Sequence, residues 1–160
     1  MLLPFAKRVL LISLLPLALY GSDMDLDLVP DSDDLCPNTP DGVFVDNVGC
    51  TKVIKKTVHF EHSSWRLDTK AVETIKSIIS VAKELRGYKI YIQGHTDATA
   101  DSKTNLYYSK QRALNVFNLI AKDIDEKRMV VSWYGESQPI ASNTTQEGQR
   151  NNRRVSIILR

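Results

Sequence analysis

The sequence predicts an α+β domain: a two-layer sandwich with its helices packed on one face of a mixed four-stranded sheet. From Val53 onward the apolar residues switch repeatedly between a period near two and a period of about 3.6, the pattern of alternating strands and helices. The switches come in the order β-α-β-α-β-β. The length agrees, because 160 residues hold one such domain with a real core plus an appendage.

The first strand is short and falls at residues 57–60, ThrValHisPhe. After Asp68-Thr69, either of which can cap, Ala71, Val72, Ile75, Ile78, Ile79, Ala82 and Leu85 recur at helical spacing, and Gly87 ends the run. Residues 88–93 alternate as a half-buried strand and deliver Gly94-His95-Thr96-Asp97 at its carboxyl end. A second helix is expected over about residues 105–122, with Ser109, Ala113, Val116, Phe117 and Ile120 on one stripe. A third strand at 130–134 stops at Gly135, and a fourth at 155–159 follows a polar stretch in which residues 146–151 suit a helical turn.

Ahead of the domain lie two segments of different character. Residues 1–22 read as a signal peptide, with Lys7-Arg8, an apolar run over 9–20 and the small exit Gly21-Ser22. That run is shorter than the about 20 residues a membrane span needs, so cleavage after Gly21 or Ser22 is expected to give an exported mature protein with no transmembrane segment, an uncleaved anchor being the alternative. Residues 23–50 form an acidic linker with no Lys or Arg, whereas residues 51–160 carry 19 Lys and Arg against 11 Asp and Glu. A basic domain favours an anionic partner, and export points to envelope polyanions rather than nucleic acid. Cys36 and Cys50 are expected to form one disulfide, since export favours pairing and zinc would lack two further ligands.

Two stretches suggest chemistry. In the linker, Asp23, Asp25, Asp27, Asp31 and Asp34 place carboxylates at the alternating positions of a calcium loop, although Leu28 stands where such a loop turns on glycine. A solvated acidic spacer is the competing reading. In the domain, His95-Thr96-Asp97 resembles a catalytic triad only on paper, because triad members converge from separate elements. His59, His62 and His95 lack metal-ligand spacing, and His95 is expected to support its loop by bonding a carbonyl.

Arg112 falls at the edge of the second helix's apolar stripe, on the side shared by Asn105 and Tyr108. From there it can reach toward Asp97, either as a salt bridge or to divide a zwitterion, Asp97 taking the ammonium and Arg112 the carboxylate.

Four ordered motifs then resemble one family. These are Gly94-His95-Thr96-Asp97; Asn105 followed by Tyr108-Ser109-Lys110-Gln111-Arg112-Ala113; Tyr134-Gly135-Glu136 with Pro139; and Asn152-Arg153-Arg154-Val155. Together with Phe60, Ser63 or Ser64 and Leu67 they resemble the OmpA-like peptidoglycan-binding domain over about residues 53–160. Tyr108 departs from the usual Leu, and residues 98–100 lack the glycine common after the first motif. The resemblance implies a non-enzymatic module, needing no cofactor, that binds peptidoglycan through the meso-diaminopimelate of its stem peptide. Asp97 would meet the amine and Arg112 the carboxylate, with Thr96, Thr99, Asn105, Tyr108 and Arg154 in contact or support. It implies that Asp97→Ala and Arg112→Ala each lose wall binding while staying folded.

The aspartate ladder running into Cys36-Pro37 and closing at Gly49-Cys50 resembles a thrombospondin type 3-like linker, which implies calcium on its aspartates. The expected setting is the Gram-negative periplasm, against the cell wall and outer membrane. The alternative is a structural component of an outer-membrane or flagellar envelope complex whose main role is protein–protein interaction.

Overall fold

A computed structural model describes residues 22–39 and 44–160, so the expected signal peptide lies almost wholly outside the described residues. The chain forms β1 (Ile54–His59), α1 (Thr69–Glu84), β2 (Ile90–Gly94), α2 (Ser102–Ile120), a 3-10 turn (Glu126–Arg128), β3 (Met129–Trp133), α3 (Gln146–Asn152) and β4 (Arg154–Leu159). The sheet order is β1-β4-β2-β3. Strand β4 runs antiparallel to both β1 and β2, while β2 and β3 are parallel, so the sheet is mixed.

Register fixes which side chains share a face. Val155, Ile157 and Leu159 of β4 stand opposite Gly94, Ile92 and Ile90 of β2, and Val58 of β1 stands opposite Val155. All seven are buried, and because strand side chains alternate, they line one face of the sheet. Both long helices pack there. Ala71, Ile75, Ile78, Ile79 and Ala82 of α1 and Ala113, Val116 and Ile120 of α2 close the same core. Asp68 caps α1, its carboxylate accepting from the Ala71 N–H at 2.7 Å.

Element boundaries differ from the sequence expectation for local reasons. Helix α2 begins at Ser102, because Asp101 caps it by accepting from the Thr104 N–H at 3.0 Å; Asn105 sits a turn inside. Strand β1 starts at Ile54, earlier than expected, since every residue from Ile54 to His59 is paired with β4. The helical turn at the end of the long polar stretch is a full short helix, α3, capped by Thr145. The 3-10 turn was not expected. It positions Arg128, whose guanidinium donates to the carbonyls of Ala82, Leu85 and Tyr88 and so closes the C-terminal end of α1.

The linker is cross-linked to itself and fastened to the domain at its carboxyl end. Cys36 and Cys50 form a disulfide. The buried Tyr88 hydroxyl accepts from the Phe44 N–H at 3.0 Å and lies 2.8 and 2.9 Å from the carbonyls of Phe44 and Lys52, pinning the linker's end to the domain.

Candidate functional site

Three strand ends meet at one rim of the sheet: the carboxyl ends of β1 and β2 and the amino end of β4. The register pairs His59 with Arg154 and Gly94 with Val155, and the ladder continues outward as Phe60 N–H to Arg153 O and His95 N–H to Arg154 O, both 2.9 Å. Helix α2 crosses this rim so closely that a Cβ on Gly94 would drive into the Ser109 carbonyl oxygen and stand 3.1 Å from the Ala113 Cβ. Only glycine permits that approach.

The cleft at the rim is lined by Asp97, Thr96, Thr99, Asn105, Tyr108, Arg112 and Arg153, with His62 and Ser63 on its lip. It is narrow, with about 20 Å³ of open space. Asp97 is 3% exposed. Its Oδ2 accepts from Arg153 Nη1 at 2.7 Å, and its Oδ1 accepts from the Thr99 hydroxyl at 2.7 Å. Burial alone raises the Asp97 pKa, but the bonds from Thr99 and Arg153 outweigh it and hold the carboxyl below its usual value. Asp97 is therefore a carboxylate at neutral pH.

Arg112 is 2% exposed and makes no salt bridge to Asp97. Nε donates to Ser64 O at 2.8 Å, Nη1 to His95 O at 3.0 Å and Nη2 to Glu61 O at 3.2 Å. The guanidinium thus fastens the β1–α1 loop and the β2–α2 loop to α2, and still keeps N–H groups on Nη1 and Nη2 that these bonds do not use. Burial pulls its pKa down to about 10, with the Asp97 charge opposing the shift; Arg112 stays charged.

The ion pair at Asp97 is therefore with Arg153, a residue given no separate role above. Arg154, which the sequence reading placed at the site, is not in the cleft. Its guanidinium donates to the carbonyls of Asn152 and Gln138, because adjacent strand residues point to opposite faces. Asn105 braces rather than caps, donating to Ala100 O at 2.9 Å. Thr99 is spent on Asp97. Thr96 keeps a buried hydroxyl with no hydrogen-bond partner among the described residues, and Tyr108 packs its ring against Trp65 at 5.5 Å.

His95 also departs from expectation. Its backbone, not its ring, makes the loop bonds. The ring stacks on Tyr134 at 5.3 Å, and Nδ1 is buried without a partner among the described residues. Burial, with the Arg154 and Lys55 charges, pushes its pKa down from 6.5 to about 4. A histidine neutral in the fold but protonatable when unfolded costs stability as pH falls through that interval, since the unfolded chain binds the extra proton. Stability should therefore drop by roughly 2–3 kcal/mol between pH 6.5 and 4. In urea melts across that window, His95→Gln should flatten the slope; an unchanged slope goes against this assignment.

In the linker, the structure gathers Asp23, Asp25 and Asp27, whose ligand atoms lie within 4.8 Å of one another. Asp34 approaches Asp27 where Gly49 folds back on both. One oxygen on each of these four carboxylates is buried with no hydrogen-bond partner among the described residues. Asp31 has no such oxygen; like the other four carboxylates it accepts a backbone N–H, from Met24 at 2.9 Å. The histidines do not join such a group: among the described residues, the cluster of three potential metal ligands is the aspartate one.

A buried ionised carboxylate, a buried guanidinium and an unpartnered hydroxyl thus share one narrow cleft held on a mixed α+β sheet. The chain belongs to the OmpA family, whose model matches residues 59–153. It is 33% identical over 147 residues to outer membrane porin F of Pseudomonas aeruginosa, covering 88% of this chain and 42% of that protein. It is 27% identical over 103 residues to the peptidoglycan-associated lipoprotein of Buchnera aphidicola, covering 64% and 60%. Among solved structures, the C-terminal domain of Helicobacter pylori MotB superposes with a TM-score of 0.61 at 25% identity, over 66% of this chain and 84% of that one. The chain thus spans less than two thirds of the length of these two curated relatives. Among the described residues no helix is long and apolar enough to cross a membrane.

Proposed function

We propose that this protein holds peptidoglycan non-covalently in the Asp97 cleft, anchoring the envelope to the cell wall from the periplasm. The ligand group is the zwitterionic end of meso-diaminopimelate in the stem peptide. Asp97 receives the ammonium, and Arg112 offers its unused N–H groups to the carboxylate in fork geometry. Thr96 Oγ1 is a further bonding partner. The observation that carries this reading is the pairing of a depressed, nine-tenths buried carboxylate with a guanidinium already immobilised by three carbonyls. Both charges are pre-positioned, so little side-chain entropy is lost on binding. Membership of the OmpA family supports it, as does likeness to a relative named for its association with peptidoglycan.

The test is a pull-down on purified sacculi. Asp97→Asn keeps the shape but loses the charge, and its binding should fall at least tenfold, since truncating one side of a buried charge pair costs about 2–5 kcal/mol. Undiminished binding by the folded variant sinks the assignment.

The linker aspartates Asp23, Asp25, Asp27 and Asp34 fit a divalent calcium ion, which their four unpartnered oxygens would hold as hard ligands. Its role is structural, setting the path of the linker behind the disulfide. Chelation should speed proteolytic cutting within residues 23–35, and added calcium should protect; cutting at equal rates in chelator and in millimolar calcium removes the idea.

A further inference from the structure

Two apolar surfaces of opposite charge stand uncovered among the described residues. One is a groove of about 600 Å³ between the β1–α1 loop and the C-terminal half of α2, walled by Trp65, Leu67 and Leu119. Its charged lining residues among those described are Arg66 and Lys122, and α2 carries no Asp or Glu from Ser102 to Ile120. The other is a ridge on the linker, where Met24, Leu26 and Leu28 are 79%, 77% and 90% exposed. We propose that the ridge of one copy of this chain seats in the groove of a second copy, and that two copies exchange ridges as a two-fold dimer.

The linker's own carboxylates build the ridge. Asp23, Asp25 and Asp27 alternate with the three apolar residues and are the more buried set. Asp23 Oδ2 accepts from the Leu28 N–H at 3.1 Å, Asp27 Oδ1 from the Val29 N–H at 2.8 Å and Asp31 Oδ1 from the Met24 N–H at 2.9 Å. These bonds help hold Leu26 and Leu28 in the left-handed region, with φ of 59° and 75°, where residues with a Cβ rarely sit. Turning the leucines inward would break them. The ridge is thus set before it meets a partner, which lowers the entropy lost on docking. One exposed leucine needs no explanation, but three large apolar side chains on one short loop mark a contact surface.

Charge and area select the occupant. Residues 23–50 carry no Lys or Arg, and the exposed Asp33 follows the ridge closely in sequence. An acidic ridge is drawn to a groove bearing Arg66 and Lys122 and is repelled by another ridge, so ridge meets groove rather than ridge. The chain's own linker leaves the groove open: its carboxyl end is fastened to Tyr88, and Met24, Leu26 and Leu28 stay exposed. Burying a leucine or methionine side chain removes about 100 Å² of apolar surface from water. One ridge of three, with the wall it covers, therefore buries about 600 Å², and the reciprocal pair about 1,200 Å², the lower end for a specific interface. A single contact falls short of that. Exchange supplies the second contact, and its two-fold symmetry closes the assembly instead of growing it into a filament.

Sedimentation equilibrium of the exported full-length chain, with millimolar calcium present throughout, tests this. A dimer should fill in at about 10–100 μM chain, as an interface of that size implies. Two double variants sit at exposed positions and should leave the circular dichroism of the fold unchanged. Leu26→Ser with Leu28→Ser removes the ridge, and Asn118→Asp with Lys122→Glu puts acid in the groove. Each should raise the monomer–dimer midpoint at least tenfold. Chains carrying Leu28→Cys, mixed with chains carrying Asn118→Cys and oxidised, should become joined to one another. A wild type still monomeric at about 1 mM, a dimer that tolerates both double variants, or the absence of that cross-link would overturn the exchange. In a chain bearing both new cysteines, a bond formed within one copy at high dilution would show the linker filling its own groove, and overturns it equally.

Discussion

Gly94→Ala should lower the melting temperature of the domain by about 10 °C or more. The position has no room for a methyl group: a Cβ there falls on the Ser109 carbonyl and 3.1 Å from the Ala113 Cβ. The first of these is helix backbone and cannot rotate away. Relief requires α2 to lift from β2, and α2 is seated by Ser109, Ala113, Val116 and Ile120, all 0% exposed. Overpacking of a close-packed core costs about 1–3 kcal/mol where side chains can give, and more where backbone must move. For a domain of this size each kcal/mol is about 4 °C of melting temperature. The shift should also reach the cleft, since Ser109 Oγ accepts from the Gly135 N–H at 3.0 Å and Gly135 O accepts from the Thr96 N–H at 2.9 Å. A melting temperature within about 2 °C of wild type, read by circular dichroism, would show that α2 has slack the structure does not contain.

The motif around Asp97 was legible in the sequence from its place at the end of an alternating strand and its order among three other motifs, whereas the close approach of α2 that Gly94 permits is visible only in the structure. Most of the fold was readable because β2, α1 and β4 carry their period plainly. What was not readable depends on contacts distant in sequence. The 3-10 turn that sets Arg128 on the end of α1 has no local signature beyond an aspartate cap, and its three carbonyl partners lie about 40 residues upstream. The β1 extension to Ile54 is imposed by β4, not by its own Lys55-Lys56.

The choice between Arg153 and Arg154 was open to sequence reasoning and was missed. Val155, Ile157 and Leu159 face the helices, so parity places Arg153 on that side and Arg154 on the other. Strand parity, counted back two residues from Val155 to the position just before the strand, identifies the arginine that meets Asp97. The geometry also changes what Arg153 does at the cleft. Its guanidinium occupies Asp97 Oδ2, so on the proposed reading an incoming ammonium would share or displace an existing ion pair rather than fill a bare carboxylate. That arrangement would weaken binding but make it selective, since a ligand offering only one charge gives little in return for disturbing that pair.

Arg112→Ala should abolish wall binding and, while still folding, lose about 3–5 kcal/mol of stability. Its three hydrogen bonds run to carbonyls in two different loops, Glu61 and Ser64 in one and His95 in the other. Truncation strands those acceptors and leaves a void beside Phe60, whose ring lies 5.4 Å from the guanidinium. It also removes a positive charge that faces Asp97. Arg112→Lys is the informative companion, because an ammonium keeps the charge but cannot reach three carbonyls in a planar fork. Urea melts should place the lysine variant between wild type and alanine, and sacculus pull-downs should still show a large loss of binding. Asp97→Asn, by contrast, should lose binding with much less loss of stability, since its carboxylate holds one exposed threonine and one arginine instead of two loops. If Arg112→Ala melts within about 1 kcal/mol of wild type, the three carbonyls are satisfied by other means, and Arg112 is a ligand-binding residue only. If it is destabilised as expected yet its folded fraction binds sacculi as wild type does, Arg112 is the clasp of the site and not a contact to the wall.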